Sequence, residues 1–282
     1  MGGMESLHDT GDSGWDSAPA LPRRPWWAVL LDLVMPVECA GCGMTDEDLG
    51  AAEVAGRRGA LISGGLCGRC ADAVNGPPFA APRTGRPAGL PPVYALAAYR
   101  DPVPDIVVAQ KERGRIDLPR PLGRRLARAV LAAVASETER GRGYRTAPVP
   151  VCAAGLPLWL VPVPSTKRAV RSRGGDPVRA IARMCASELR RLGVLANLLP
   201  ALTHARAVSD QAGLSRVERA RNLAGALRVR SGAVARLAER PAVLVDDVLT
   251  SGATLAEAGR AIRAAGGRPL AAAVIGATAP RR

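Results

Sequence analysis

From about residue 93 onward the chain alternates two rhythms of apolar positions. Short runs of strand character occur at Val93 to Tyr99, Leu158 to Val163, Ala242 to Asp246 and Leu270 to Gly276, with a further short strand expected at Asn197 to Thr203. Between them the apolar residues fall at helical spacing. Pro121 to Glu139 carries Leu122, Leu126, Val130, Leu131 and Val134, and helices are also predicted at Asp176 to Leu192, Ser215 to Leu223 and Thr254 to Ala265. Strands alternating with helices predict an α/β fold, a central parallel sheet flanked by helices. No internal repeat is visible.

The first third reads differently. Residues 1–22 mix Gly, Ser, Asp and Pro without periodicity and are expected to form a disordered tail. Residues 23–76 hold a short apolar helix, with Trp27, Leu30, Leu31 and Val34 on one face, and then two Cys-x-x-Cys pairs around a Gly-rich insertion. Pro-rich residues 77–92 read as a linker, and residues 93–282 as the α/β domain. Within that domain a Gly/Pro-rich loop is expected at Gly141 to Gly155. The run after Arg23 and Arg24 is too short for a secretory signal, is broken by Asp32, and lacks a small-residue cleavage site. Glu38 before Cys39 argues against a lipoprotein site. With no apolar run of about 20 residues, the expected location is cytoplasmic, with no membrane partner.

Composition sharpens this picture only in part. Hydrophobic residues make up 48% of 282, yet a single Phe and three Tyr leave the core to Ala, Val and Leu. Of 39 basic residues only Lys111 and Lys167 are lysines, and the formal charge is +14. Such a field attracts polyanions, and the guanidinium fork suits phosphate. A phosphosugar, a nucleic acid and a merely solvated Arg-rich surface all fit it.

The densest chemistry lies near the C-terminus. The apolar run Ala242-Val243-Leu244-Val245 leads into Asp246-Asp247, then Val248-Leu249-Thr250-Ser251-Gly252-Ala253-Thr254, then a helix. In open α/β sheets ligands bind beyond the carboxyl ends of strands, where this segment falls. Gly252 permits close backbone approach, Thr250, Ser251 and Thr254 supply hydroxyls, and free N–H groups at a helix start face an anion. Two carboxylates beside a phosphate need hydroxyls or a metal as partners. A ribose 5-phosphate meets both needs, and Mg²⁺ on an attached diphosphate would offset the acids. Strand-then-acid-pair also occurs at other metal and phosphoryl-transfer sites, and Ser/Thr-Gly turns are common. The contiguous combination is the distinctive feature.

Val243-Leu-Val-Asp-Asp-Val-Leu-Thr-Ser-Gly-Ala-Thr254 resembles the ribose-phosphate motif of the type I phosphoribosyltransferases. Several segments resemble the ComF subgroup, related to natural-competence proteins. They are Asp32-Leu33, Lys111 to Arg115, Val161-Pro162-Val163-Pro164, Arg173-Gly174, Gln211 with Leu214-Ser215, and Arg219 with Asn222, in the subgroup's order from about residue 30 onward. The resemblance implies a type I fold, a parallel sheet under a mobile hood. It gives Asp246 and Asp247 the ribose contact of a catalytic site. Val248 and residues Thr250, Ser251, Gly252, Ala253 and Thr254 become the phosphoribosyl-binding segment. Ser165, Thr166, Lys167 and Arg168, after Pro164, match the diphosphate loop, with Arg171 and Arg173 following. The implied reaction is pentosyl transfer from phosphoribosyl diphosphate with Mg²⁺ to an acceptor. Gly175-Asp176-Pro177 departs from the subgroup, which often has an aromatic residue and Asn there, but it keeps a good helix start. Neither His8 nor His204 is marked as a base, and His204 reads as an ordinary surface or core residue.

Cys39, Cys42, Cys67 and Cys70 have the spacing of two zinc knuckles, with Gly41, Gly43 and Gly68 suiting tight turns. Four filled positions point to structural Zn²⁺; redox-active or bridged thiols are the alternative. Cys152 reads as a loop residue and Cys185 as buried on a helix face. Arg57, Arg58 and Arg69 add charge to the ribbon, but no aromatic residue lies between Cys39 and Cys70 to stack on bases. Three functions remain open: a phosphoribosyltransferase, a non-catalytic phosphoribosyl diphosphate sensor, and a DNA-uptake factor partnered by single-stranded DNA or a DNA-uptake helicase.

Overall fold

The computed structural model describes residues 38–45, 48, 64–140, 157–166, 169–171, 174–206, 223–238 and 240–279. The expected tail, the apolar helix around Trp27, the loop at Gly141 to Gly155 and nearly all of Ser215 to Leu223 lie outside these residues, as do Lys167, Arg168, Arg173 and Cys152.

Six strands form the central sheet: β1 (Phe79–Ala80), β2 (Val93–Ala98), β8 (Arg268–Ala277), β7 (Pro241–Leu249), β3 (Leu158–Pro162) and β4 (Ala196–Leu198), in that spatial order. All neighbouring pairs are parallel except β1 with β2. The protein is thus α/β with a mostly parallel sheet. Its central strands are apolar on both faces because helices cover both, and Val243, Leu244 and Val245 are all fully buried. A separate antiparallel pair joins β5 (Leu202–His204) to β6 (Leu227–Val229).

Two layers of core follow from strand alternation. On one face α2 (Val103–Lys111), α3 (Pro119–Glu139) and α4 (Pro177–Arg191) cover Val243, Val245, Ala271 and Ala273. Helix α3 presents Leu122, Leu126, Val130 and Ala133, and α4 presents Val178, Ile181, Cys185 and Leu189. The two helices approach closely at Gly123, where an added Cβ would lie 2.7 Å from the Ile181 carbonyl oxygen. On the other face α6 (Ala253–Ala264) and the short α5 (Val234–Ala238) cover Ala242, Leu244, Ala272 and Val274. Asp176 caps α4, accepting the Arg179 N–H at 3.2 Å, with Pro177 at the first helical position.

The structure departs from the sequence pattern in four places. Helix α2 was not foreseen, because Pro102 and Pro104 mask its start; proline is compatible with a first turn. The segment Asn197 to Thr203 divides into β4 and β5 around Pro200, which has no N–H to offer a sheet ladder. Strand β7 runs on through the acid pair to Leu249. The Pro-rich segment contributes β1 and buries Ala81 and Leu90 against the sheet. Cys39, Cys67 and Cys70, the last on the short α1 (Gly68–Ala73), also pack into the α2–α3–α4 core, within the same unit as the sheet, Val37–Arg282. Among the described residues no helix is long and apolar enough to cross a membrane.

Candidate functional site

Asp246 and Asp247 lie within the last turn of pleat of β7, at the carboxyl edge of the parallel strands, where Asp246 pairs in register with Val274 and Val248 with Gly276. Val245 faces the α2–α3–α4 core, and two residues on Asp247 meets the end of α2. The Lys111 ammonium there sits 2.8 Å from Asp247 Oδ2, and the Asp247 side chain is only 5% exposed. The Oδ1 oxygen of each acid closes a short loop on the backbone. Asp246 Oδ1 accepts the Asp247 N–H at 2.9 Å, and Asp247 Oδ1 accepts the Val248 N–H at 2.8 Å. Tyr99 packs over Gly276, whose missing side chain leaves room for the ring. Burial, then the negative charge of Asp247, raise the Tyr99 hydroxyl's pKa.

Burial pushes the Asp246 carboxyl well above the usual carboxylate range, and the Asp247 charge adds to that, with Lys111 and the Asp247 N–H opposing. A folded-state carboxyl that holds its proton more tightly than the unfolded chain destabilises the fold as pH rises through its titration. Asp246→Asn is therefore expected to raise the unfolding temperature at pH 8, and to lose that gain as pH falls toward about 4, the ordinary carboxylate range. Thermal denaturation across pH checks this; a gain that is equal at both ends of the range would refute it.

The loop after β7 turns on Gly252, whose φ of 83° lies in the left-handed region and whose Cα faces Leu90, 3.1 Å from where a Cβ would stand. Gly252 is the N-cap of α6, so the amides of residues 253 to 255 open the helix without partners of the helical ladder. Ser251 Oγ accepts the Ala253 N–H at 3.3 Å. Thr250 is exposed and Thr254 half-buried. The carbonyls of Leu249 and Thr250 accept from the Thr278 hydroxyl, and Arg86 also donates to the Thr250 oxygen. Sequence reasoning missed Arg86, whose segment looked like a linker.

A second loop rises beside the first, because β3 pairs with β7 through Pro162 and Val245 and the Val163 N–H continues that pairing at 2.9 Å. His204 Nε2 lies 3.2 Å from the Pro164 oxygen. Ser165 Oγ donates to Asp176 Oδ1 at 3.3 Å, and Thr166 Oγ1 accepts the Ala169 N–H at 3.3 Å. The acid pair, the 250–254 loop and the start of the 164–168 loop thus share one edge of the sheet; Lys167 and Arg168 lie outside the described residues. Beside Lys111 a cavity of about 150 Å³ opens between α2 and the start of α4, lined by Gln110, Arg115, Gly174 and Asp176 among others. Gln110 is buried there, with its amide nitrogen donating to the Pro177 oxygen at 3.0 Å.

The sulfurs of Cys39, Cys42, Cys67 and Cys70 all lie within 4.8 Å of one another, and none is bridged. The Cys42–Cys67 separation of 3.8 Å matches the edge of a tetrahedron whose metal–sulfur bonds are about 2.3 Å. Burial alone would raise the Cys39 thiol, but backbone N–H groups outweigh it and bring its pKa to about 7. Burial, then the charge of Cys39, pushes Cys70 far up, so the four thiols cannot all ionise without a cation among them. The cluster can hold a structural metal such as zinc. Around it, the Cys67 N–H donates to Cys39 Sγ at 3.3 Å and the Ala40 N–H to the Gly65 oxygen at 2.9 Å. Arg115 donates to the Glu38 oxygen at 2.9 Å while gripping Asp117 with two bonds of 2.7 and 3.0 Å. Gly41 lies against Cys70 and Ile106. The cluster therefore braces α2, the helix that ends in Lys111. Cys185 is fully buried, and burial raises its thiol.

No protein-family model matches the chain, and a search of curated proteins finds no match.

Proposed function

We propose that the chain is a phosphoribosyltransferase-like protein of the ComF type that binds phosphoribosyl diphosphate with Mg²⁺ and transfers the phosphoribosyl group to an acceptor. The observation that carries this reading is the acid pair of β7, one member held by Lys111, beside a glycine-turned hydroxyl loop that opens α6. In this reading the 5-phosphate lies against the amides and hydroxyls of residues 250 to 254, and the ribose hydroxyls donate to Asp246 and Asp247. Lys111 offsets the acids before the ligand arrives and is placed to donate to its oxygens afterwards. Ser165 and Thr166, with Lys167 and Arg168, receive the diphosphate. Mg²⁺ would neutralise charge on the departing diphosphate. The orientation of the sugar by the acids then lowers the barrier at C1 through position and electrostatics. The cysteine cluster serves as a structural zinc site.

Calorimetric titration with phosphoribosyl diphosphate and Mg²⁺ tests the reading, followed by an acceptor screen for diphosphate release. Binding without release under any acceptor would favour a sensor built on the same site. The charge of +14, with Arg69 exposed beside the cysteine cluster, supports a second reading. In it the protein handles single-stranded DNA, with a DNA-uptake helicase as partner. That reading predicts affinity for single strands that falls steeply with salt and is indifferent to changes at Asp246.

A further inference from the structure

The Pro-rich segment between the cysteine cluster and β2 is folded as a strap against the 250–254 loop. The Arg86 N–H donates to the Arg83 oxygen at 3.0 Å, and Arg83 Nη2 donates to the Leu90 oxygen at 3.0 Å, closing the segment on itself. Leu90, 3% exposed, then presses on Gly252. Across this strap the Arg86 guanidinium makes three bonds to carbonyl oxygens. Nε donates to Pro82 at 3.2 Å, Nη2 to Thr278 at 2.7 Å, and Nη1 to Thr250. Thr278 completes the arrangement, with its N–H on the Leu249 oxygen at 2.9 Å and its hydroxyl shared between the Leu249 and Thr250 oxygens at 3.1 and 3.2 Å.

This arrangement has an electrostatic consequence. An anion can sit in a tight loop only if the N–H groups face it and the carbonyls do not. The guanidinium and Thr278 engage the carbonyls of residues 249 and 250, so these oxygens are held by donors of the protein itself, while the amides that open α6 have no helical partner. A planar fork that bonds two carbonyls from different parts of the chain cannot be replaced by a single ammonium. We propose that Arg86 is a positioning residue for the 5-phosphate loop, acting through the loop's carbonyl oxygens and selecting ligands that carry a terminal sugar phosphate. The proposal rests on the phosphosugar reading above.

The test uses the full chain and two probes, ribose 5-phosphate and inorganic diphosphate with Mg²⁺, titrated calorimetrically. Arg86→Ala is expected to weaken ribose 5-phosphate at least about tenfold, the scale of a charged hydrogen bond, and to leave diphosphate affinity unchanged. Arg86→Lys should remain weak, while added guanidinium ion should restore part of the affinity of Arg86→Ala, which a merely misfolded variant would not show. Hydrogen exchange gives a readout that needs no ligand: amides of residues 251 to 256 should exchange faster in Arg86→Ala, with the β8 amides unchanged. Equal ribose 5-phosphate affinity in wild type and Arg86→Ala, or unchanged exchange in the loop, overturns the role of Arg86 alone. A wild type that ignores both probes and phosphoribosyl diphosphate overturns the phosphosugar reading instead.

Discussion

Asp246→Asn combined with Asp247→Asn is expected to weaken phosphoribosyl diphosphate at least about a hundredfold, the scale of losing two charged hydrogen bonds. The fold should survive. Each carboxamide keeps a carbonyl oxygen for the backbone N–H that the carboxylate now accepts, and the first substitution removes a desolvated acid from beside a second one. What is lost is charge. Two carboxylates accept hydrogen bonds from sugar hydroxyls and attract the metal that accompanies the diphosphate, and two amides do neither well. Lys111 loses its counter-ion as well, but as a half-exposed group it can turn to water. Calorimetry on the double variant, beside a thermal melt, separates the outcomes. Undiminished affinity with an intact melt would refute the assignment of the ribose to this acid pair.

The second large effect concerns the cysteines. Purified under reducing conditions, the protein is expected to carry one zinc ion per chain, and Cys70→Ser should lower the unfolding temperature by at least about 10 °C. The magnitude follows from coupling: structural zinc contributes on the order of 10 kcal/mol in small knuckle peptides, and even a part of this exceeds an ordinary core substitution. Cys70 is fully buried and belongs to the same core as Ile106 and Leu118, so the loss is not confined to a surface ribbon. Because Arg115 ties the first knuckle to the segment after α2, disruption should also loosen Lys111 and weaken the ligand site. Metal analysis and melting of the Cys70→Ser variant check the prediction. Metal-free wild type, or a variant that melts with it, would rule out a zinc centre.

Most of the sheet was legible along the chain, because strands and helices announce themselves by spacing that needs no knowledge of the partner. The α3 stripe of Leu122, Leu126 and Val130 and the apolar run into Asp246 lie where the pattern put them. The cysteine spacing likewise foretold a four-sulfur cluster, since each Cys-x-x-Cys turn presents its own pair of ligands. Helix α2 was hidden by prolines at its start, and β1 by the prolines around it. In both cases local propensity described the ends of an element and not its packing.

The candidate site divides along the same line. By its sequence alone the chain determined the contiguous part: an acid pair, a hydroxyl loop with a glycine that permits close backbone approach and a helix start, all within residues 246 to 254. Only the tertiary structure decided that Lys111 meets Asp247 and that Arg86 reaches Thr250 across 164 residues of chain. It also decided that the cysteine cluster leans on the helix carrying Lys111. The physical reason is that parallel strands are joined by long crossovers, so groups gathered at one edge of the sheet come from distant segments. A single arginine or lysine in such a segment carries no periodic signal. Its partner exists only once the strand order β2-β8-β7-β3 has brought the carboxyl ends together.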